Sequence, residues 1–328
     1  MRNLRMNDCF YNEDCVSGAR KHLVDSSVDL IITDPPYGIA GDTLHKHYNR
    51  DERYVLDGYV DVPQEDYAAF SRDWIKEAER VLKPGGSIYI VSGYTNLRHI
   101  LNALAGTSLC EINHLIWKYN FGVYTKTKYI SSHYHILFYR KSGGKPTFNT
   151  FCRYGDSEKH DDGGSANYRD REDVWLMNRD YKPGMIKNKN MLPTQLLMKM
   201  IQYSSQENDV VCDFFLGSFS TANVAKGLNR YAVGFEVNRR VFSYHERAFH
   251  ELERGFLLSR VRQPSANRNV NGGRAVSAEE KANILGTYAQ LREKGANKKN
   301  ALHTLSEQFG RGYWSLLRII DGRTKEHA

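Results

Sequence analysis

Four consecutive residues, Asp34-Pro35-Pro36-Tyr37, follow directly on the apolar run VDLIIT at 28–33. Neither proline can donate a backbone hydrogen bond and both fix φ, so a strand must stop there in a rigid corner. The corner presents the Asp34 carboxylate, backbone carbonyls and the flat face of Tyr37. Open α/β sheets hold their ligands beyond the carboxyl ends of their strands. The corner therefore reads as one wall of a ligand site.

A second constellation lies far downstream, in DVVCDFFLGSFSTANVAKGLNRYAVGFEVNRR (209–240). It reads as strand, tight loop, helix 219–228, strand. Asp213 ends the first strand, Gly217 allows close approach in the loop, and the helix turns its N-terminus toward whatever sits there. Glu236 ends the next strand, where nucleotide-binding α/β units carry the acceptor for ribose hydroxyls. The dinucleotide fingerprint G-x-G-x-x-G is absent. A loop with one glycine suits a nucleoside without phosphates, and S-adenosyl-L-methionine is such a ligand. An ordinary βαβ crossover with a glycine turn is the competing reading.

The elements that must position these residues follow from periodicity. Strand-like runs at 28–33, 87–92, 112–117, 134–139, 209–213 and 231–236 alternate with helix-like segments, which predicts an α/β fold around a parallel sheet. Tyr67, Phe70, Trp74, Ala78 and Val81 recur at three and four residues and predict a helix, stopped by KPGG at 83–86. Residues 141–190 are polar and aperiodic, the mark of a functional or mobile insertion. Residues 42–61, basic and aromatic, suit a lid beside the corner.

Residues 259–276 read as a flexible linker. SAEE (277–280) is a capping box opening a helix whose apolar stripe is Ala278, Ala282, Leu285 and Ala289, with Gly295 ending it. Leu302, Leu305 and Phe309 predict a second helix, GRG at 310–312 a turn, and Trp314, Leu317 and Ile320 a third. On a basic background this pattern is open to a helix-turn-helix or to a docking or dimerisation bundle.

The chain has 328 residues, 41% hydrophobic, enough for a full core and a small second domain. Its N-terminus has no apolar core segment, so no signal peptide is expected, and no apolar run has the length of a membrane span. Five scattered cysteines without a C-x-x-C pair argue against zinc and disulfides and suit a reducing cytoplasm. Of the net charge of +8, residues 259–328 supply +7, with 13 Lys and Arg against 6 Asp and Glu. The basic excess belongs to the tail and points to a polyanionic partner.

DPPY after an apolar strand, LPTQ (192–195) and then DFFLGS (213–218) together resemble the β class of amino-methylating DNA methyltransferases, in which the catalytic motif precedes the cofactor motif. NEDC (12–15), VLKPGGSIYIVSG (81–93) and IWKYN (116–120) extend the likeness over roughly residues 7–255. The resemblance implies a class I S-adenosylmethionine-dependent methyltransferase (Rossmann-like) fold with circularly permuted motif order. It implies a catalytic domain at 1–258, including target recognition at 119–190; the linker at 259–276 and the small helical domain at 277–328 rest on the composition and periodicity given above. Two departures stand out. Asp213-Phe214-Phe215 replaces Asp-Pro-Phe, with Phe219 where the loop normally has a second glycine, and His133-Tyr134 replaces the family's His-Glu.

The implied reaction moves a methyl group from S-adenosyl-L-methionine to the N6 amine of a flipped-out adenine in double-stranded DNA. Asp34 and the Pro35 carbonyl accept hydrogen bonds from the amine, Pro36 stiffens the corner, and Tyr37 stacks on the base. No cysteine follows a proline, which closes the cytosine carbon-5 route; cytosine N4 stays open as the alternative, and a DNA-binding regulator on a degenerate methylase fold is a third reading. The matching motifs put Asp213, Phe215, Gly217 and Ser218 around the methionine moiety and Glu236 on the ribose. Asp14 falls near the adenine amine, or merely caps a helix, and Thr194 and Gln195 close the pocket. The reaction needs no metal. A homodimer and a cognate restriction endonuclease are the partners the resemblance allows.

Overall fold

The computed structural model describes residues 7–38, 62–120, 126–149, 171–178, 191–260 and 275–321, without the side chain of Trp314. The lid segment 42–61 and most of 150–190 lie outside the described residues. Two compact units divide the chain, one through Arg262 and one from Gln263.

The first unit is built on one eight-stranded sheet. Its strands are β1 (Cys9–Tyr11), β2 (Val28–Thr33), β3 (Leu82–Ser92), β4 (Leu109–Lys118), β5 (His133–Lys141), β6 (Val174–Leu176), β7 (Val210–Asp213) and β8 (Tyr231–Phe235), in the order β1-β8-β7-β2-β3-β5-β4-β6. All neighbouring pairs are parallel except those made by β5, which runs antiparallel to both β3 and β4. The helices are α1 (Cys15–His22), α2 (Tyr67–Val81), α3 (Leu97–Ala105), α4 (Thr194–Ser204), α5 (Ser220–Gly227) and α6 (Arg239–Glu251).

Strand β2 shows why the sheet is covered on both faces. Successive side chains point to opposite sides, and all of its apolar residues are buried. Leu30 and Ile32 pack in a core with α4 and α5 residues such as Leu196 and Ala225. Ile31 packs in a second core with Ala19 of α1, Trp74 of α2 and Ile100 of α3. Helix α2 occupies the predicted stretch and ends at Val81, but the next strand begins at once at Leu82, so KPGG lies inside β3 beside a register shift opposite Val28–Leu30.

The chain leaves β2 for β3 on one side and β7 for β8 on the other. The gap between the carboxyl ends of β2 and β7 is therefore the topological switch point of the sheet, where open α/β folds bind ligands.

The second unit is three helices, α7 (Ala278–Glu293), α8 (Lys298–Phe309) and α9 (Tyr313–Ile320), around Ile284, Leu302, Leu305 and Leu316. One expectation fails here. Ala278, Ala282, Leu285 and Ala289 of α7 face outward, and the buried stripe is Ile284 with Tyr288 and Leu291 against it. The two stripes have the same helical spacing; the structure buries the one with more apolar area to remove from water. The capping box is also incomplete. Ser277 Oγ accepts from the Glu280 amide at 3.0 Å, whereas the Glu280 carboxylate pairs with Arg311. No described helix is long and apolar enough to cross a membrane.

Candidate active site

Asp34-Pro35-Pro36-Tyr37 leaves the carboxyl end of β2 at the switch point, with Asp34 half-buried and Pro35 buried. Neighbouring elements hold the corner by its backbone. Tyr67 of α2 donates its hydroxyl to the Pro36 carbonyl at 2.6 Å, and Asn96 donates Nδ2 to the Tyr37 carbonyl at 2.6 Å. Gln64 donates in turn to Asn96 Oδ1 at 2.7 Å. Gly38 follows at φ +60°, where a Cβ would meet the Tyr67 ring at 2.5 Å and Asn96 at 2.6 Å, so only glycine lets the chain pass these two residues. Tyr67 reads in the sequence as one more apolar position of α2, and nothing in the sequence marks Asn96.

The cofactor motif meets this corner directly. Strand β7 pairs with β2, and Thr33 Oγ1 donates to Asp213 Oδ1 at 2.9 Å across 180 residues of chain. The Phe215 amide donates to the same oxygen at 3.0 Å. Burial pushes Asp213 up to about 6, against the lowering effect of hydrogen bonds from Phe215, Thr221 and Thr33. Glu236, just past β8, accepts from the Gly217 amide at 3.0 Å with one oxygen and from the Asn238 amide at 2.7 Å with the other. Burial raises its pKa as well. Glu236 thereby ties the tip of the glycine loop to the neighbouring strand.

The loop itself departs from expectation in an informative way. Phe214 takes the missing proline's place and is buried against Trp74 and Phe235, while Phe215 lies half-buried against Phe70 and Trp74 of α2. Phe219, in place of the second glycine, keeps the glycine's backbone: φ is +59° at the N-cap of α5. A non-glycine residue there costs roughly 1–2 kcal/mol. Its ring is fully buried, 4.8 Å from Phe10 and 5.8 Å from Phe242, and that burial offsets the cost.

Of the remaining residues named from sequence, Thr194 begins α4 and Gln195 is exposed beside it. A helix leading into a parallel strand starts at the carboxyl end of the sheet, so both lie at the ligand edge. Asp14 caps α1, its Oδ1 accepting from the amides of Val16 and Ser17. Asn12, just before it, donates to the Glu236 carbonyl at 2.6 Å, which brings the start of α1 to the end of β8.

Sequence reasoning set Tyr134 aside as part of the departure from His-Glu. In the structure its ring stacks on Tyr37 (5.7 Å, 22°) and on Trp117 (5.3 Å, 25°), an aromatic wall continuous with the corner. Beside it, burial and the neighbouring His114 and His133 push His135 down to about 4, leaving a neutral imidazole 2.8 Å from His114. Among the described residues no group of three or more His, Cys, Asp or Glu could hold a metal ion.

These features fit S-adenosylmethionine. Three carboxylates converge on the switch point, one of them buried without an ion pair among its described contacts, which suits a ligand carrying sulfonium and ammonium charges and ribose hydroxyls. The fold and this site define a class I S-adenosylmethionine-dependent methyltransferase. A family model described as a DNA methylase, of the N6/N4 type, matches residues 28–247. The chain belongs to this N6/N4 DNA methylase family and is a DNA methyltransferase that uses S-adenosyl-L-methionine. It is 32% identical over 245 residues to the type II methyltransferase M.HpaI of Haemophilus parainfluenzae, covering 73% of this chain and 72% of that protein. Its fold is similar to that of M1.HpyAVI in complex with SAM (TM-score 0.52, 20% identity, 74% of this chain and 99% of that one). It is also similar to the PvuII DNA methyltransferase, which is cytosine-N4-specific (TM-score 0.57, 15% identity, 75% and 87%).

Proposed function

We propose that this chain methylates the N6 amine of adenine in double-stranded DNA, on a base turned out of the helix. The observation that carries the reading is the Asp34–Tyr37 corner, joined to the cofactor motif through Thr33 and Asp213. The family resemblance favours adenine, because in that family Asp at the position of Asp34 goes mostly with adenine and Ser mostly with cytosine.

The exocyclic amine is a poor nucleophile because its lone pair is delocalised into the ring. Asp34 and the Pro35 carbonyl accept its two N–H bonds and favour a tetrahedral nitrogen with the lone pair directed at the methyl donor. Hydrogen bonds from Tyr67 and Asn96 engage the next two carbonyls and lock the corner, while no hydrogen bond to the Pro35 carbonyl is made among the described residues. Tyr37 stacks on the extruded base, worth about 1–3 kcal/mol. S-adenosyl-L-methionine, when bound, supplies an electrophilic sulfonium methyl group. Asp213, Phe215, Gly217 and Ser218 hold its methionine portion, and Glu236 its ribose. Asp14, through the oxygen left over from capping, meets the adenine amine, with Thr194 and Gln195 closing the pocket.

Target recognition falls to residues within 119–190. A second copy of the chain and a cognate restriction endonuclease belong to the same reading and rest on the family resemblance, and the cytoplasmic setting rests on the scattered cysteines. Nucleoside mass spectrometry tests the core of it. Expression in cells without methylases of their own should yield N6-methyladenine in their DNA, lost in Asp34→Ala. N4-methylcytosine instead would transfer the same mechanism to cytosine.

A further inference from the structure

The family match ends at residue 247, and the three-helix unit lies wholly beyond it. We propose that this unit is a helix-turn-helix module that binds duplex DNA, with its backbone contacts at the end of the unit where α8 begins and α9 finishes. The reading builds on the chain being a DNA methyltransferase and adds a second DNA-contacting surface to it.

The turn between α8 and α9 is three residues long. Gly310 ends α8 at φ +58°, a left-handed conformation natural to glycine, and Gly312 is the N-cap of α9. Arg311 between them is almost fully buried. Its Nε and Nη2 donate to the two carboxylate oxygens of Glu280 at 2.6 and 2.7 Å, and Ser306 Oγ donates to its carbonyl at 2.8 Å. A two-pronged, geometrically specific ion pair of this kind sets register more than it adds stability. Here it fixes the start of α7 against the turn, so that the crossing of α8 and α9 is rigid. Each of the three helices packs on the other two. A three-helix unit with a short turn before its last helix can present that helix to the major groove.

Leu316 is fully buried with Leu317, Ile319 and Ile320 packed around it, whereas Tyr313 and Arg318 are exposed. Lys298 bonds Asp321 at 2.9 Å, which brings the start of α8 to the end of α9. Lys294, Lys299 and Arg318 lie toward this end, and none makes an ion pair among the described residues. Duplex phosphates are the complement of such a cluster.

The test is fluorescence anisotropy of the full chain on a duplex over a range of salt. The Lys299→Ala/Arg318→Ala double variant should bind at least tenfold more weakly at low salt. Its slope of log affinity against log salt should be shallower by about 2, since each lost phosphate contact removes ~0.9. Arg318→Lys, which keeps the charge, should retain the slope. Both substituted side chains are exposed, and circular dichroism of the variant checks that the unit is still folded. Unchanged affinity and slope in a folded double variant would overturn the proposal. So would a deletion of residues 275–328 that lowers the number of copies per particle in light scattering while leaving the slope as it was, because the unit would then join copies of the chain.

Discussion

Asp34 and Asp213 are both carboxylates at strand ends, yet the structure gives them different work. Asp34 belongs to a corner whose backbone is held from Tyr67 and Asn96. Asp34→Ala should lower kcat by roughly 10²–10³, the usual loss when one preorganised hydrogen-bonding group is removed, with DNA affinity nearly unchanged; single-turnover methyl transfer checks both. Asp213 is buried and held up at about 6, above its unfolded value. The sign follows from that. Its contribution to stability is fully present below about pH 4 and is lost as pH rises through about 6, on the order of 3 kcal/mol. Asp213→Asn should therefore melt higher than the parent at pH 8 and show no such gain at pH 4. A cationic cofactor favours the ionised form, so affinity for S-adenosyl-L-methionine should fall about tenfold per unit below pH 6. Calorimetric titrations across pH 5–8 should find that dependence flattened in Asp213→Asn.

Among the elements, the loop from β7 into α5 carries the most unusual compromise. Phe219 holds a left-handed backbone because its ring is buried against Phe10 and Phe242. Glycine at 219 would relieve the strain and empty the pocket, at a net cost of about 2–4 kcal/mol. Alanine would empty the pocket and keep the strain. Denaturant midpoints should rank the parent above Phe219→Gly, and Phe219→Gly above Phe219→Ala. The same two variants should raise KM for S-adenosyl-L-methionine more than they lower kcat, because Gly217 and Ser218 lose their anchor while the Asp34 corner stays in place. Helix α2 does a comparable service for the other motif. Tyr67→Phe keeps the ring and removes the hydroxyl that holds the Pro36 carbonyl, so it should cost little stability, about 1 kcal/mol, and show its effect in kcat.

For the whole molecule, the decisive fact is that the parallel pairing of β2 with β7 brings residues 180 positions apart to the same edge of the sheet. The two units keep separate cores, so Leu305→Ala should melt the C-terminal helices at lower denaturant while the methyltransferase unit unfolds at its usual midpoint; separate fluorescence and circular dichroism transitions would show it. Much of this architecture was legible beforehand. Apolar runs and proline breaks mark β2 and its corner, the three-and-four spacing marks α2, and the acid after each cofactor strand marks the ligand edge, because these are local consequences of backbone chemistry. Other features were decided only in three dimensions. Which stripe of α7 turns inward depended on the partners offered by α8 and α9. Asp14 became a helix cap as soon as α1 formed. Nothing in the sequence marks Asn96 or Thr33, or tells that Tyr67 holds the corner and Tyr134 faces Tyr37, since a single hydrogen bond or ring contact across the sheet leaves no periodicity behind. The sequence by itself determined the chemistry available and the strands that carry it. Tertiary structure alone decided which carbonyls are held, which carboxylate is buried and which ring faces Tyr37, because burial and geometry are properties of neighbours that the chain meets only on folding.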